Sequence, residues 1–197
     1  MTNFNIRDYY FEKAKAQGYK ARSVYKLSEI DQALKIIKPD YKILDLGCSP
    51  GSWLQYVASK LGPKGKALGV DLTPIKDKFH PNIITLQHDC FELSPEILKD
   101  FLGESYFDVI LSDMAPKTTG IKHVDQIRSL SLAEQAYELS LNWLNPNGHV
   151  VIKVFNSAQV SELINRMKKS FKIVKQMRPK SIRSVSKEFY VVGLGKK

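Results

Sequence analysis

The chain is poor in the residues that carry metal and disulfide chemistry. It has two cysteines, Cys48 and Cys90, in 197 residues. That is too few for a disulfide framework or a cysteine-ligated zinc cluster, and it fits a reducing compartment. Four histidines, His80, His88, His123 and His149, show no ligand spacing, so no metal site is expected. No apolar run approaches the ~20 residues a membrane-spanning helix needs. The first residues lack the basic-then-apolar layout of a secretory signal, and a cytoplasmic protein without membrane contact is expected. A Gly-x-Ser-x-Gly elbow and a Walker loop are both missing, which removes the common hydrolase and nucleoside-triphosphatase designs.

What the chain has in excess is positive charge, and the excess is concentrated. The net charge is +10. Residues 1–27 carry a balance of +4, the segment from Arg166 to Lys187 carries +9 with no acid, and the remainder is −3. Two basic segments around a slightly acidic middle point to a polyanionic partner; the alternative is a solvated basic face. Length and a hydrophobic fraction of 43% suit one globular domain. Residues 1–20 mix basic residues with Phe4, Tyr9, Tyr10, Phe11 and Tyr19 and show no clean period. They read as an arm rather than a packed element, leaving a single domain over 21–197.

From Ser23 onward apolar runs and turn signals alternate. Ser23 reads as the cap of a helix that stops before Pro39, with Leu27, Ile30 and Leu34 on one side. Strands are predicted over 43–46, 67–71, 83–87, 107–112 and 149–155. Helices are predicted over 53–61, after Ser94-Pro95, over 127–144 and over 160–170. Two last strands, 171–177 and 189–194, flank a basic loop. Repeated strand–helix units imply an α/β fold, a mostly parallel sheet with helices on both faces. The final pair, joined without a helix, forms an antiparallel edge.

The first strand runs into Asp45-Leu-Gly-Cys-Ser-Pro-Gly-Ser-Trp53, and Asp71 follows Gly51 by 20 residues. A strand, a glycine turn, a helix and a distal acid define a nucleotide-binding crevice at the carboxyl end of a parallel sheet. The Gly-x-Gly-x-x-Gly spacing of dinucleotide sites is absent, which sets aside a nicotinamide oxidoreductase and favours a nucleoside with a small polar tail. Strand ends place further polar residues on the same rim. Asp71 suits ribose hydroxyls, and Asp89 suits an exocyclic amine or, alternatively, a turn before Phe91. Trp53 either lines the pocket or belongs to the core, and Asp45 is read as bracing the turn. Lys153 interrupts Val150-Val-Ile-Lys-Val-Phe155. Lysines are almost never fully buried unless paired, and Asp113, at the end of the neighbouring strand, is the natural partner.

With these residues assembled, the sequence resembles the FtsJ-type (RrmJ-type) ribose 2′-O-methyltransferases of large-subunit ribosomal RNA. Four stretches carry the likeness: Lys20-Ala-Arg-Ser-Val-Tyr-Lys-Leu27, Asp45 to Trp53, Ser112-Asp-Met-Ala-Pro116, and Arg183-Ser-Val-Ser-Lys-Glu-Phe-Tyr-Val-Val192. The resemblance covers nearly the whole chain. It implies a Rossmann-like class I methyltransferase fold with a seven-stranded sheet and S-adenosylmethionine in the crevice. It also implies a catalytic tetrad of Lys26, Asp113, Lys153 and Glu188, with Lys153 the catalytic lysine. The cofactor positions it implies are Gly51, Trp53, Asp71, Asp89 and Asp113. The implied substrate is a uridine ribose of large-subunit ribosomal RNA, acted on by a monomer. The alternatives are a transfer RNA or an mRNA cap, or a non-catalytic RNA binder of the same fold. Two departures stand out. Ser52 replaces the family's usual glycine, adding a side chain beside the cofactor tail, and Lys117 follows Met-Ala-Pro where asparagine is frequent. Phosphate contacts are expected from Arg7, Lys13, Lys15, Lys20, Arg22, Arg178, Lys180, Arg183 and Lys187, with Tyr19 available to stack a base.

Overall fold

The computed structural model describes residues 6–103 and 105–197. Its sheet has seven strands: β1 (Lys42–Leu46), β2 (Lys66–Asp71), β3 (Ile83–Gln87), β4 (Phe107–Ser112), β5 (Leu144–Phe155), β6 (Phe171–Met177) and β7 (Glu188–Lys196). Their spatial order is β3-β2-β1-β4-β5-β7-β6. β1 to β5 are mutually parallel. β7 runs antiparallel between β5 and the edge strand β6, because no helix separates β6 from β7 to carry the chain back across the sheet. The strand order reverses between β1 and β4. The connections leaving those two strands diverge there, which opens the crevice predicted from the glycine turn.

Alternation along the strands divides the core into two layers. Ile43, Ala67, Val109, Leu111, Val151, Tyr190 and Val192 face α1 (Ile6–Ala16), α2 (Val24–Leu34) and α3 (Ser52–Ala58). Leu44, Leu46, Ile110, Val150, Ile152, Val154 and Val191 face α4 (Pro95–Leu102), α5 (Lys122–Trp143) and α6 (Val160–Ser170). Strands buried on both faces read as continuous apolar runs, which is why β1, β4 and β5 stand out in the sequence.

The differences from the sequence expectation have local causes. Residues 6–16, read as an arm, form helix α1; Ala14 is buried, and Tyr10 packs against Tyr25 at 5.3 Å between rings. Phe4 lies outside the described residues, as does the side chain of Arg7. α5 starts at Lys122 rather than 127: Asp125 sits in its first turn and accepts from the Thr119 N–H (2.7 Å) and hydroxyl (2.9 Å), stitching the preceding loop to the helix. β5 starts at Leu144 rather than 149. Leu144 pairs with Phe107, and an irregular step through Asn147 (φ 65°) precedes the regular register at His149. Ser23 makes no cap bond to α2; its hydroxyl has another use.

Candidate active site

The turn after β1 is shaped by close approach. Gly47 has φ +74°, and a Cβ there would stand 2.7 Å from Met114 Cγ; only glycine permits both the left-handed backbone and the contact. Gly51 (φ +107°) precedes α3, and a Cβ there would meet Phe79 at 2.9 Å. Asp71, at the end of β2, accepts from the Ser49 N–H (3.0 Å) and the Thr73 N–H (2.7 Å). These bonds tie the turn to the second strand and use two of the roughly four acceptor positions of a carboxylate. Asp89 accepts from the Phe91 N–H at 2.9 Å and caps a short 3-10 turn over 90–92. Here the turn reading is realised, on the rim where the binding reading also placed it.

At this turn the core alternative for Trp53 is realised, and the side chain of Ser52 lies elsewhere than beside the cofactor tail. Trp53 does not open onto the rim: its side chain is buried, its Nε1 donates to Ser23 O at 2.8 Å, and its ring lies 5.9 Å from that of Tyr190. A large amphipathic ring at the start of a helix is better used joining α2, α3 and β7. Ser52 is also buried, and its hydroxyl bonds that of Ser23 at 2.8 Å, so the extra side chain faces α2. We expect Ser52→Gly to lose about 1–2 kcal/mol of stability, one hydrogen bond plus a helix-propensity term, read as a lower midpoint in urea with an unchanged slope.

Asp45 does not brace the turn through hydrogen bonds. It is fully buried, and neither carboxylate oxygen has a partner. Burial first, and then the nearby charges of Asp113 and Asp71, hold its acid group well above the usual carboxylate range. An acid with a raised folded-state pKa costs stability once pH exceeds its unfolded value, and the cost is complete above the folded value. Asp45→Asn therefore raises the melting temperature at pH 8, and the gain shrinks as pH falls toward the ordinary carboxylate range. A gain that grew on acidification would refute this account.

Across the crevice, β4, β5, β7 and α2 bring Lys26, Asp113, Lys153 and Glu188 together as two ion pairs. Lys153 Nζ lies 3.0 Å from Asp113 Oδ1 and also donates to the main-chain oxygen of Asp113. Lys26 Nζ lies 2.5 Å from Glu188 Oε1. Lys153 is 6% exposed, so the apolar run does bury it, with the partner anticipated. Lys153 stands opposite Tyr190 in the β5–β7 register, and Phe155 opposite Glu188. The alternation of β7 therefore sends Glu188 and Tyr190 to the face that Lys153 occupies. Tyr190, given no role of its own in the sequence reading, donates its hydroxyl to Asp113 Oδ1 at 2.7 Å. Its only signal was its place two residues beyond Glu188.

A cavity of about 230 Å³ adjoins this cluster, lined by Arg22, Ser23, Lys26, Arg183, Ser186 and Glu188. The loop between β6 and β7 forms one wall and is fastened to α2. Glu29 accepts from the Lys180 N–H (2.6 Å) and Ser181 N–H (3.0 Å), and Arg22 donates to Ser181 O. Arg178, expected to meet phosphates, instead donates to the carbonyls of Glu188 (2.8 Å), Ser186 (2.7 Å) and Arg183 (3.2 Å). It organises the loop. Arg166 pairs with Glu134 and Glu138 of α5, on the opposite face of the sheet. Tyr19 packs edge-on to Tyr25, Lys13 lies over the Tyr25 ring at 4.9 Å, and Lys20 pairs with Asp77. Lys15, Lys117, Lys180, Arg183 and Lys187 are exposed.

A parallel sheet closed by one antiparallel strand, with a glycine turn and acids along one rim, defines a Rossmann-like methyltransferase. The chain belongs to the FtsJ-like methyltransferase family, whose model matches residues 19–196. It is 47% identical over 195 residues to the ribosomal RNA large subunit methyltransferase E of Bdellovibrio bacteriovorus, covering 98% of this chain and 99% of that one. It is 46% identical to the protein of the same name from Desulfatibacillum aliphaticivorans, covering 97% and 91%. Among solved structures, a Plasmodium falciparum protein described as a ribosomal RNA methyltransferase superposes with a TM-score of 0.80 at 28% identity, covering 90% of this chain and 98% of that one. Membership implies a methyl donor. Among the described residues, no helix is long and apolar enough to cross a membrane.

Proposed function

We propose that this protein transfers the methyl group of S-adenosylmethionine to the 2′-hydroxyl of a uridine in large-subunit ribosomal RNA, acting as a cytoplasmic monomer. The observation that carries the reading is the buried Lys153–Asp113 pair, set between an acidic rim and a basic cavity. The residues present suit the donor's chemistry. Asp71 and Asp113 stand close enough to the orphaned buried acid Asp45 to raise its proton affinity, so the negative field that favours a cationic ligand comes from those two neighbours. Asp71 would hold the ribose hydroxyls and Asp89 the amine of the base, while the backbone at Gly51 and Trp53 would border the donor's tail. When bound, S-adenosylmethionine supplies an electrophilic methyl on a sulfonium.

The chain's own task is then to position a hydroxyl and manage its proton. A ribose hydroxyl is a poor nucleophile at neutral pH, so a base must take its proton or steer its lone pair. Two donor directions of the Lys153 amine are taken by Asp113, one by its carboxylate and one by its carbonyl. The third faces the substrate, as a lone pair in the neutral amine and as a proton in the ammonium. Lys26 and Glu188 neutralise one another beside it, and Arg183 and Arg22 would hold flanking phosphates. The test is incubation with labelled donor and large-subunit ribosomal RNA or ribosomal subunits. Label must enter RNA, and substitution of 2′-deoxyuridine at the acceptor must prevent it.

A further inference from the structure

Tyr190 is fully buried, yet its hydroxyl shares a single oxygen, Asp113 Oδ1, with the amine of Lys153. The three groups form one short chain: phenol at 2.7 Å and ammonium at 3.0 Å on the same carboxylate oxygen. The ring is held from the other side by Trp53 of α3, whose indole is in turn fixed to Ser23 of α2. A packed ring at this position needs no hydroxyl, and phenylalanine would fill the same volume. The oxygen is there for Asp113.

We propose that Tyr190 is a positioning residue that tunes how tightly Asp113 holds Lys153. The inference rests on the methyl-transfer reading above. A hydrogen bond donated to a carboxylate oxygen draws off part of its charge. Asp113 then attracts the Lys153 ammonium less strongly than an unshared carboxylate would. The phenol itself stays a donor throughout, because burial and the charges of Asp113 and Glu188 push its ionisation well above the ordinary range. The titratable groups facing this cluster are Glu188 on β7, Lys26 on α2 and Asp45 on β1, the last held toward its neutral form by burial. Lys26 and Glu188 are paired, so the Tyr190 hydroxyl is the neutral group acting directly on the Asp113–Lys153 bond.

Tyr190→Phe removes the hydroxyl and keeps the ring. With ribosomal RNA as acceptor, we expect the acid limb of the kcat profile to move up by about one pH unit. Below the wild-type midpoint that shift makes a loss of about tenfold, recovered at alkaline pH. The KM for the donor should stay close to wild type, and the melting temperature should fall only by what the one lost hydrogen bond implies. A profile that keeps the wild-type midpoint, whether unchanged in rate or lowered uniformly at every pH, would overturn the proposal and leave Tyr190 a packing residue. A variant with a lowered melting temperature and an unmoved midpoint would do the same. Failure of the wild-type protein to methylate RNA in the same assay would instead remove the functional reading, and this inference with it.

Discussion

Lys153→Ala should abolish methyl transfer, lowering kcat by about 10³-fold or more, while donor binding by calorimetry stays within about twofold of wild type. The separation follows from where the residues stand. The proposed donor cradle is built from the turn after β1 and the ends of β2 and β3, and its bonds run between Asp71, Ser49 and Thr73. Lys153 comes from β5, on the other side of β4, and among the described residues its ion pair and hydrogen bond are both to Asp113. Removing it leaves Asp113 with the Tyr190 hydroxyl as a remaining partner. The variant must therefore be checked for a loss of stability, since breaking a buried pair from one side costs about 3–5 kcal/mol when the survivor is uncompensated. Comparable loss of donor binding in a folded Lys153→Ala protein would move Lys153 out of the transfer step and into the cradle.

RNA binding should fall by about 10³-fold between 50 and 200 mM salt. The physical cause is release of counterions from phosphates neutralised by lysine and arginine. The structure narrows which cations take part. Arg166 is committed to Glu134 and Glu138, and Arg178 to three loop carbonyls. Arg183 and Lys187 stand exposed on the loop that Glu29 and Arg178 hold beside the cavity. Arg183→Ala should therefore weaken binding to all RNA sequences alike and reduce the salt slope by about one. A flat salt response in the wild-type protein would mean that the basic segments are solvating faces.

Much of this arrangement was legible beforehand because the sheet is buried on both sides. A charged residue inside Val150–Phe155 stands out against such a background, and so does its need for a partner. The glycine turn was legible for the same reason: a strand that ends in Gly47 and Gly51 has little to do but approach something closely. The side-chain directions were not legible. Whether Trp53 faces the rim or the interior depends on Tyr190 and Ser23, which are 137 and 30 positions away in the chain. Arg178 looks like any other cation of the basic loop until the loop's carbonyls are seen turned toward it. Helix α1 is hidden in the sequence because its ring contacts are aromatic and its period is blurred by Lys13, whose amine lies over the rings of Tyr9 and Tyr25. Asp45 reads as a brace for the turn, since sequence shows adjacency and not isolation; in the fold neither of its carboxylate oxygens has a partner.

The central claim is that the buried lysine serves methyl transfer to a ribose oxygen of ribosomal RNA. The most direct measurement is digestion of large-subunit ribosomal RNA after reaction with labelled donor, followed by identification of the labelled nucleoside. The account predicts a single 2′-O-methylated uridine with the wild-type protein and none with Lys153→Ala. Label on a base, or equal labelling by the two proteins, would contradict it.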